Sequence, residues 1–99
     1  MADTQSRHPV DCHVGIRIRK RRRQLGMSLK VLGQSIRRSL QQVHAYESGA
    51  NRVCASLLWD FAAALDVPVE YFFEGLVAPT RQAVGVTPRM TEPAGPYIG

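Results

Sequence analysis

Leu29, Leu32, Gly33 and Ile36 recur at i, i+3, i+4 and i+7, the spacing of one helical face. Only Arg37 and Arg38 separate that stripe from Ser39, which with Gln42 spells the S-x-x-Q capping box that opens a helix. Val43, Tyr46 and Glu47 then share an inward face, and Gly49 supplies a stop. Residues 28 to 48 therefore read as two short helices joined by a tight turn, with Ser28 as the first N-cap. Gly33 inside the stripe costs about 1 kcal/mol of helix propensity relative to alanine. Its place is explained if the next helix approaches closely there.

The flanking sequence supplies the rest of an all-α domain. Val14, Ile18 and Leu25 lie at i, i+4 and i+11, so a helix is predicted over 14–24, ending before Gly26. Residues 1–12 are polar and aperiodic and read as a flexible arm; His8, Cys12 and His13 are too irregularly spaced for a metal site. Leu57, Leu58, Phe61, Ala62 and Leu65 make the richest apolar face, on a fourth helix opened by Cys54 or Ser56. Asp66-Val67-Pro68 breaks it, and Val69 to Phe73 forms a short fifth helix. Trp59, which falls partly off the apolar face of the fourth helix, and the Phe72/Phe73 pair read as core rather than ligand pocket. Residues 79–99, with four prolines and no pattern, read as a disordered tail, leaving 13–78 as the one domain.

Charge separates the two halves of that domain. Residues 14–52 hold ten basic side chains and one acid, Glu47; residues 53–78 hold Asp60, Asp66, Glu70 and Glu74 and no base. A strongly positive half suits phosphates. Arg22 falls on the apolar face of the first helix, where an unpaired charge is too costly, and Glu47, the only acid in the basic half, lies one turn beyond Val43 on the core side. A buried Arg22–Glu47 ion pair is expected. No nucleophile–base pair, phosphate loop, metal motif or cofactor motif occurs, so the expectation is a non-enzyme with no cofactor. Two distant cysteines and no long apolar stretch point to a soluble protein of the cytoplasm, at the bacterial nucleoid.

Four stretches in order, VGIRIRKRRRQLGMS, LGQSI, QQVHAYESG and LLWDFAAALDVPVEYFF, resemble the lambda-repressor-like, or Xre-family, helix-turn-helix domains. The resemblance runs from about Val14 to Leu76 and implies a compact five-helix DNA-binding domain. It also implies an arginine late in the first helix paired with the glutamate closing the third, which falls on Arg22 and Glu47. Three positions depart from the family pattern: Leu29 stands where a glutamine is common, Gly33 for alanine, and Arg37 for the turn glycine. Arg37 is then expected to adopt a left-handed conformation.

On this reading the helix beginning after Ser39 enters the major groove, where glutamine can bond bidentately to adenine. Gln41, Gln42, His44 and Leu40 are the expected base contacts, with Gln42 in competition with its own capping duty. Lys30, Arg38, Ser39, Asn51 and Arg52, with Arg17 or Arg21, are the expected phosphate contacts. Roughly five to seven such contacts correspond to a log–log salt slope of about −4.5 to −6. The expected role is a transcriptional regulator, most simply a repressor, acting as a homodimer through the fifth helix and the residues around Leu76 and Val77. The alternative is an antitoxin-like module that grips a small protein partner and binds DNA for autoregulation. RNA binding through the arginine run is disfavoured by the lack of stacking aromatics beside it.

Overall fold

The computed structural model describes residues 7–76, and the described residues form four α-helices and one 3-10 helix. These are α1 (Pro9–Gln24), α2 (Leu29–Ile36), α3 (Leu40–Glu47), α4 (Ala55–Leu65) and the 3-10 helix Val69–Phe73. The fifth element is thus a 3-10 helix and not the α-helix expected. The tail assigned to 79–99, and Val77, lie outside the described residues, as do residues 1–6 of the arm.

α1 starts five residues earlier than the apolar spacing suggests. Pro9 occupies the first helical turn, where its missing N–H costs nothing, and Asp11 complements the helix dipole. His8 caps the end, its Nδ1 accepting from the Val10 backbone N–H at 3.0 Å. Half-buried Val10 extends the i, i+4 row of Val14, Ile18 and Arg22 by one turn. The arm expected over 1–12 therefore stops short of Pro9, and its His8, Cys12 and His13 belong to folded structure. Leu25, by contrast, is 42% exposed: α1 has ended before the periodicity reaches it.

The four α-helices end alike. Each closes with the second or third residue beyond the helix donating back across five residues: Met27 N to Arg22 O, Arg38 N to Gly33 O, Ala50 N to Ala45 O, Val67 N to Ala62 O. This closure needs a left-handed residue just before the donor. Gly26 and Gly49 take that role at two ends, while Arg37 (φ 61°, ψ 46°) and Asp66 (φ 56°, ψ 53°) take it at the others.

Ile18, Leu32, Val43, Phe61, Leu65 and Phe72 make the fully buried centre, one or two from each element. Tyr46 meets Phe61 edge to face with ring centroids 5.9 Å apart. The apolar face expected of helix four holds, but Trp59 on that helix is 70% exposed and Phe73 on the 3-10 helix 39%, so neither is core. Phe72 alone of the expected aromatic set is fully inside.

Candidate nucleic-acid interface

α3 is held against the core by Val43, Tyr46 and Glu47, which leaves Leu40, Gln41, Gln42 and His44 exposed on its other side. Its start is fixed by a complete capping box. Ser39 Oγ accepts from Gln42 N at 3.1 Å, and Ser39 N donates to Gln42 Oε1 at 3.0 Å. The Gln42 carbonyl is therefore committed to the cap while its amide nitrogen is not. The Gln41 side chain is exposed and makes no hydrogen bond to a described residue, so both ends of its amide are unengaged.

Two close backbone approaches set the angle of α3. A Cβ on Gly33 would meet the Arg38 carbonyl oxygen at 2.5 Å and Val43 Cγ2 at 3.3 Å, so α2 sits directly on the turn and the first part of α3. A Cβ on Gly15 would meet the backbone carbonyls of Tyr46 and Glu47, so α1 crosses the far end of α3 in contact. Gly15 escaped the sequence reading; a glycine inside a strongly helical segment was the available signal.

The far end is also pinned by charge. Arg22 Nε donates to Glu47 Oε2 at 2.6 Å and Nη2 to Glu47 Oε1 at 3.0 Å, while Nη1 donates to the Met27 carbonyl at 2.9 Å. The two side chains are 11% and 4% exposed. The hydrogen bond to Glu47 raises the Arg22 guanidinium above its ordinary range against the opposing cost of burial. Arg7 adds a bond from Nη1 to the Ser48 carbonyl at 3.2 Å, a cation at the C-terminal end of α3 that the sequence reading left in the arm.

Lys30, Arg38, Asn51 and Arg52 are exposed. Arg38 Nη1 reaches only the neighbouring Arg37 carbonyl, at 3.2 Å. Arg52 lies 3.8 Å from Asp11 and its side chain is 85% exposed, a loose pair of little energetic weight. Ser39 spends its hydroxyl on Gln42.

Arg17 and Arg21, named from sequence as phosphate candidates, are engaged on another flank. Arg17 donates from Nε to the Tyr71 carbonyl at 2.9 Å and from Nη2 to Glu74 at 2.8 Å, and lies 3.9 Å over the Tyr71 ring. Arg21 donates from Nε to the Leu65 carbonyl at 2.8 Å, at the C-terminal end of α4. With His13 Nε2 at 2.7 Å from the Glu74 carbonyl oxygen, they form a row that fastens the acidic half to α1. The reason is periodic: residues 13, 17 and 21 share a face that packs on the 3-10 helix and the end of α4.

Cys54 is the N-cap of α4 and is exposed, with Ser56 Oγ 3.4 Å from its sulfur. Hydrogen bonds from Ser56 and from the Leu57 backbone hold its thiol pKa below the ordinary value. Cys12 packs against Gly49. Among the described residues no group of three or more His, Cys, Asp or Glu side chains gathers as a metal site, and no helix is long and apolar enough to cross a membrane.

Residues 13–71 match the family model of the helix-turn-helix domain. An uncharacterized transcriptional regulator in the ATPase CF(0) region of Rhodospirillum rubrum is 44% identical over 88 residues, spanning 89% of this chain and 82% of that one. An uncharacterized HTH-type transcriptional regulator of Sinorhizobium medicae is 52% identical over 67 residues, 68% of this chain and 48% of that one. The chain thus spans about half the length of the Sinorhizobium relative. Among solved structures, the clp gene regulator ClgR from C. glutamicum superposes with a TM-score of 0.64 at 24% identity, covering 67% of this chain and 86% of that one, a likeness of fold. This chain belongs to the helix-turn-helix family of DNA-binding transcriptional regulators.

Proposed function

We propose that this protein is a sequence-specific regulator that inserts α3 into the major groove of duplex DNA, most simply as a repressor. One observation carries the reading: Gln41 sits in the first turn of α3 with its whole amide unengaged by described residues, on a helix flanked in sequence by the exposed Lys30, Arg38, Asn51 and Arg52. The acids Asp60, Asp66, Glu70 and Glu74 all lie on α4 and the segment that follows it. A carboxamide can pair with both N6 and N7 of adenine, and flanking cations fix register on the backbone without reading sequence. Leu40 supplies an apolar contact for a thymine methyl, and His44 and the free amide nitrogen of Gln42 add polar reach.

A single domain of this size reads about half an operator. A homodimer is accordingly part of the proposal, with half-sites one helical turn, about 34 Å, apart. The 3-10 helix with Leu76 and exposed Phe73 is the proposed contact between copies. Selection of bound duplexes from a random library tests the whole reading. The expected result is a two-fold symmetric motif; recovery of unrelated sequences would remove sequence-specific reading, and a single unrepeated half-site would remove the dimer.

A second reading, an antitoxin-like module that binds a protein and uses DNA for autoregulation, is favoured by one feature. Trp59, 70% exposed, borders a groove of about 400 Å³ with Ala62, Ala63, Val67, Pro68 and Val69. Operator binding unchanged in Trp59→Ser, with loss of a co-purifying small protein, would support it.

A further inference from the structure

α1 presents its cations on different flanks. Arg17 and Arg21 are bound to the 3-10 helix and the end of α4, and Arg22 spends three nitrogens on Glu47 and Met27. Arg19 and Arg23 are exposed and have no hydrogen-bond or ion-pair partner among the described residues. Both line a cleft of about 210 Å³ between α1 and the last turn of α3, together with Leu29, His44 and Ser48. Glu47 and Arg22 form its floor, and their pairing cancels the single carboxylate there.

We infer that this cleft is a phosphate-binding site, with Arg19 and Arg23 as its two cationic walls. The cleft carries unspent charge. Two guanidiniums four residues apart on one helix face repel each other in the absence of an anion, and no acid other than the already paired Glu47 lines the cleft. A phosphate between them would relieve that repulsion and accept planar, bidentate hydrogen bonds. His44 stands on the opposite wall, on the same helix as Gln41 and one turn further along. Ser48 contributes shape rather than a donor, since its Oγ is hydrogen-bonded to the Ala45 carbonyl at 3.1 Å. The site therefore adjoins the proposed base-reading surface. The favoured occupant is a backbone phosphate of the duplex lying against α3, which rests on the DNA-binding reading above; a free oligophosphate has the same chemistry.

The test uses the full chain and the double variant Arg19→Gln/Arg23→Gln. Affinity for a short mixed-sequence duplex is measured between about 50 and 200 mM salt, where each phosphate contact contributes about 0.9 to the log–log slope. The variant is expected to lose about 0.9 from the slope, one phosphate contact, while its unfolding midpoint stays at or slightly above that of the wild type. In parallel, the arginine Nε–H signals are followed by NMR as inorganic pyrophosphate is added without DNA. Saturable shifts in the wild type that vanish in the variant, with an unchanged duplex slope, would keep the site and assign it to a free oligophosphate. A wild-type slope in the variant with no saturable response to pyrophosphate would overturn the inference. Failure of the wild type to bind any duplex would instead overturn the DNA-binding reading, and the pyrophosphate titration would still decide the cleft.

Discussion

Arg22 and Glu47 form a two-point ion pair across 25 residues of sequence, guanidinium nitrogens at 2.6 and 3.0 Å from the two carboxylate oxygens. The pair ties the end of α1 to the last residue of α3 and thereby orients the helix that carries Gln41. Burial makes it a matter of geometry more than of net stability, because desolvation offsets much of the attraction.

Removing one partner and not the other is therefore the damaging change. Glu47→Ala leaves the Arg22 charge unpaired at 11% exposure and is expected to cost about 3 kcal/mol. In a domain of this size that corresponds to roughly 12–24 °C in Tm. The double variant Arg22→Met/Glu47→Leu is expected to recover most of the loss, since apolar replacement of a buried pair is often neutral. Thermal melts of the three proteins check this; equal losses in the single and double variants would show that packing, not unpaired charge, is at stake.

Gly15→Ala separates helix propensity from packing. Alanine should gain about 1 kcal/mol in an isolated helix. Here its Cβ would meet the Tyr46 carbonyl oxygen at 2.5 Å, and the obstacle is backbone that cannot rotate aside. The expected net effect is a loss of about 1–3 kcal/mol, as for other overpacked positions. A urea titration reads it directly, and a stabilised variant would mean that α1 can slide on α3.

Much of this architecture was legible from residue spacing. The stripe of α2, the capping box of α3 and the opposed charges of Arg22 and Glu47 are local or near-local signals, and each has its counterpart in the structure. Left-handed Arg37 was implied by the family resemblance, where a glycine usually holds that turn position, and not by spacing. What spacing could not resolve is which flank of α1 each arginine serves. Arg17, Arg19, Arg21 and Arg23 look alike in sequence, and only the packing of the 3-10 helix and α4 against residues 13, 17 and 21 distinguishes them. Trp59 misled for a related reason, since one step around a crowded apolar helix moves a side chain from core to solvent.

Arg21→Gln follows from that assignment. It removes a bond to the Leu65 carbonyl and an attachment of α4's end to α1, so stability should fall by about 1.5 kcal/mol, the low end for a hydrogen bond to a charged group, because the side chain is half-buried. Because the side chain is spent on the protein, the salt slope of duplex binding should stay that of the wild type. A melt and a salt titration on the same sample test both halves, and a flattened slope would return Arg21 to the DNA-facing set.

Cys54 offers a chemical probe of the loop that precedes α4. Its thiol is exposed and its pKa is lowered by hydrogen bonds from Ser56 and the Leu57 backbone, so the thiolate fraction at a given pH exceeds that of a free cysteine. The pH–rate profile of alkylation should rise at lower pH than in the unfolded chain. Ser56→Ala should move it back upward, and Cys12, packed on Gly49, should react more slowly than Cys54. Identical profiles for folded and unfolded protein would mean that the helix start does not shape the thiol.

The division of labour on α3 yields the most direct functional prediction. Gln41 has nothing to lose in the free protein, so Gln41→Ala should leave stability within about 0.5 kcal/mol, as for other exposed sites. Its loss should appear only on DNA, as relaxed preference at one base pair worth about 1–3 kcal/mol of discrimination. Arg52, 85% exposed and only loosely paired with Asp11, should behave in the opposite way. Arg52→Ala should weaken binding evenly on selected and random duplexes and flatten the salt slope by about 0.9. Gln42→Ala is the internal control, because it breaks the capping box and should lower stability by about 1 kcal/mol before any DNA is added. Competition binding on selected and mixed duplexes distinguishes the three, and equal losses on both duplexes for Gln41→Ala and Arg52→Ala would show that neither residue reads a base.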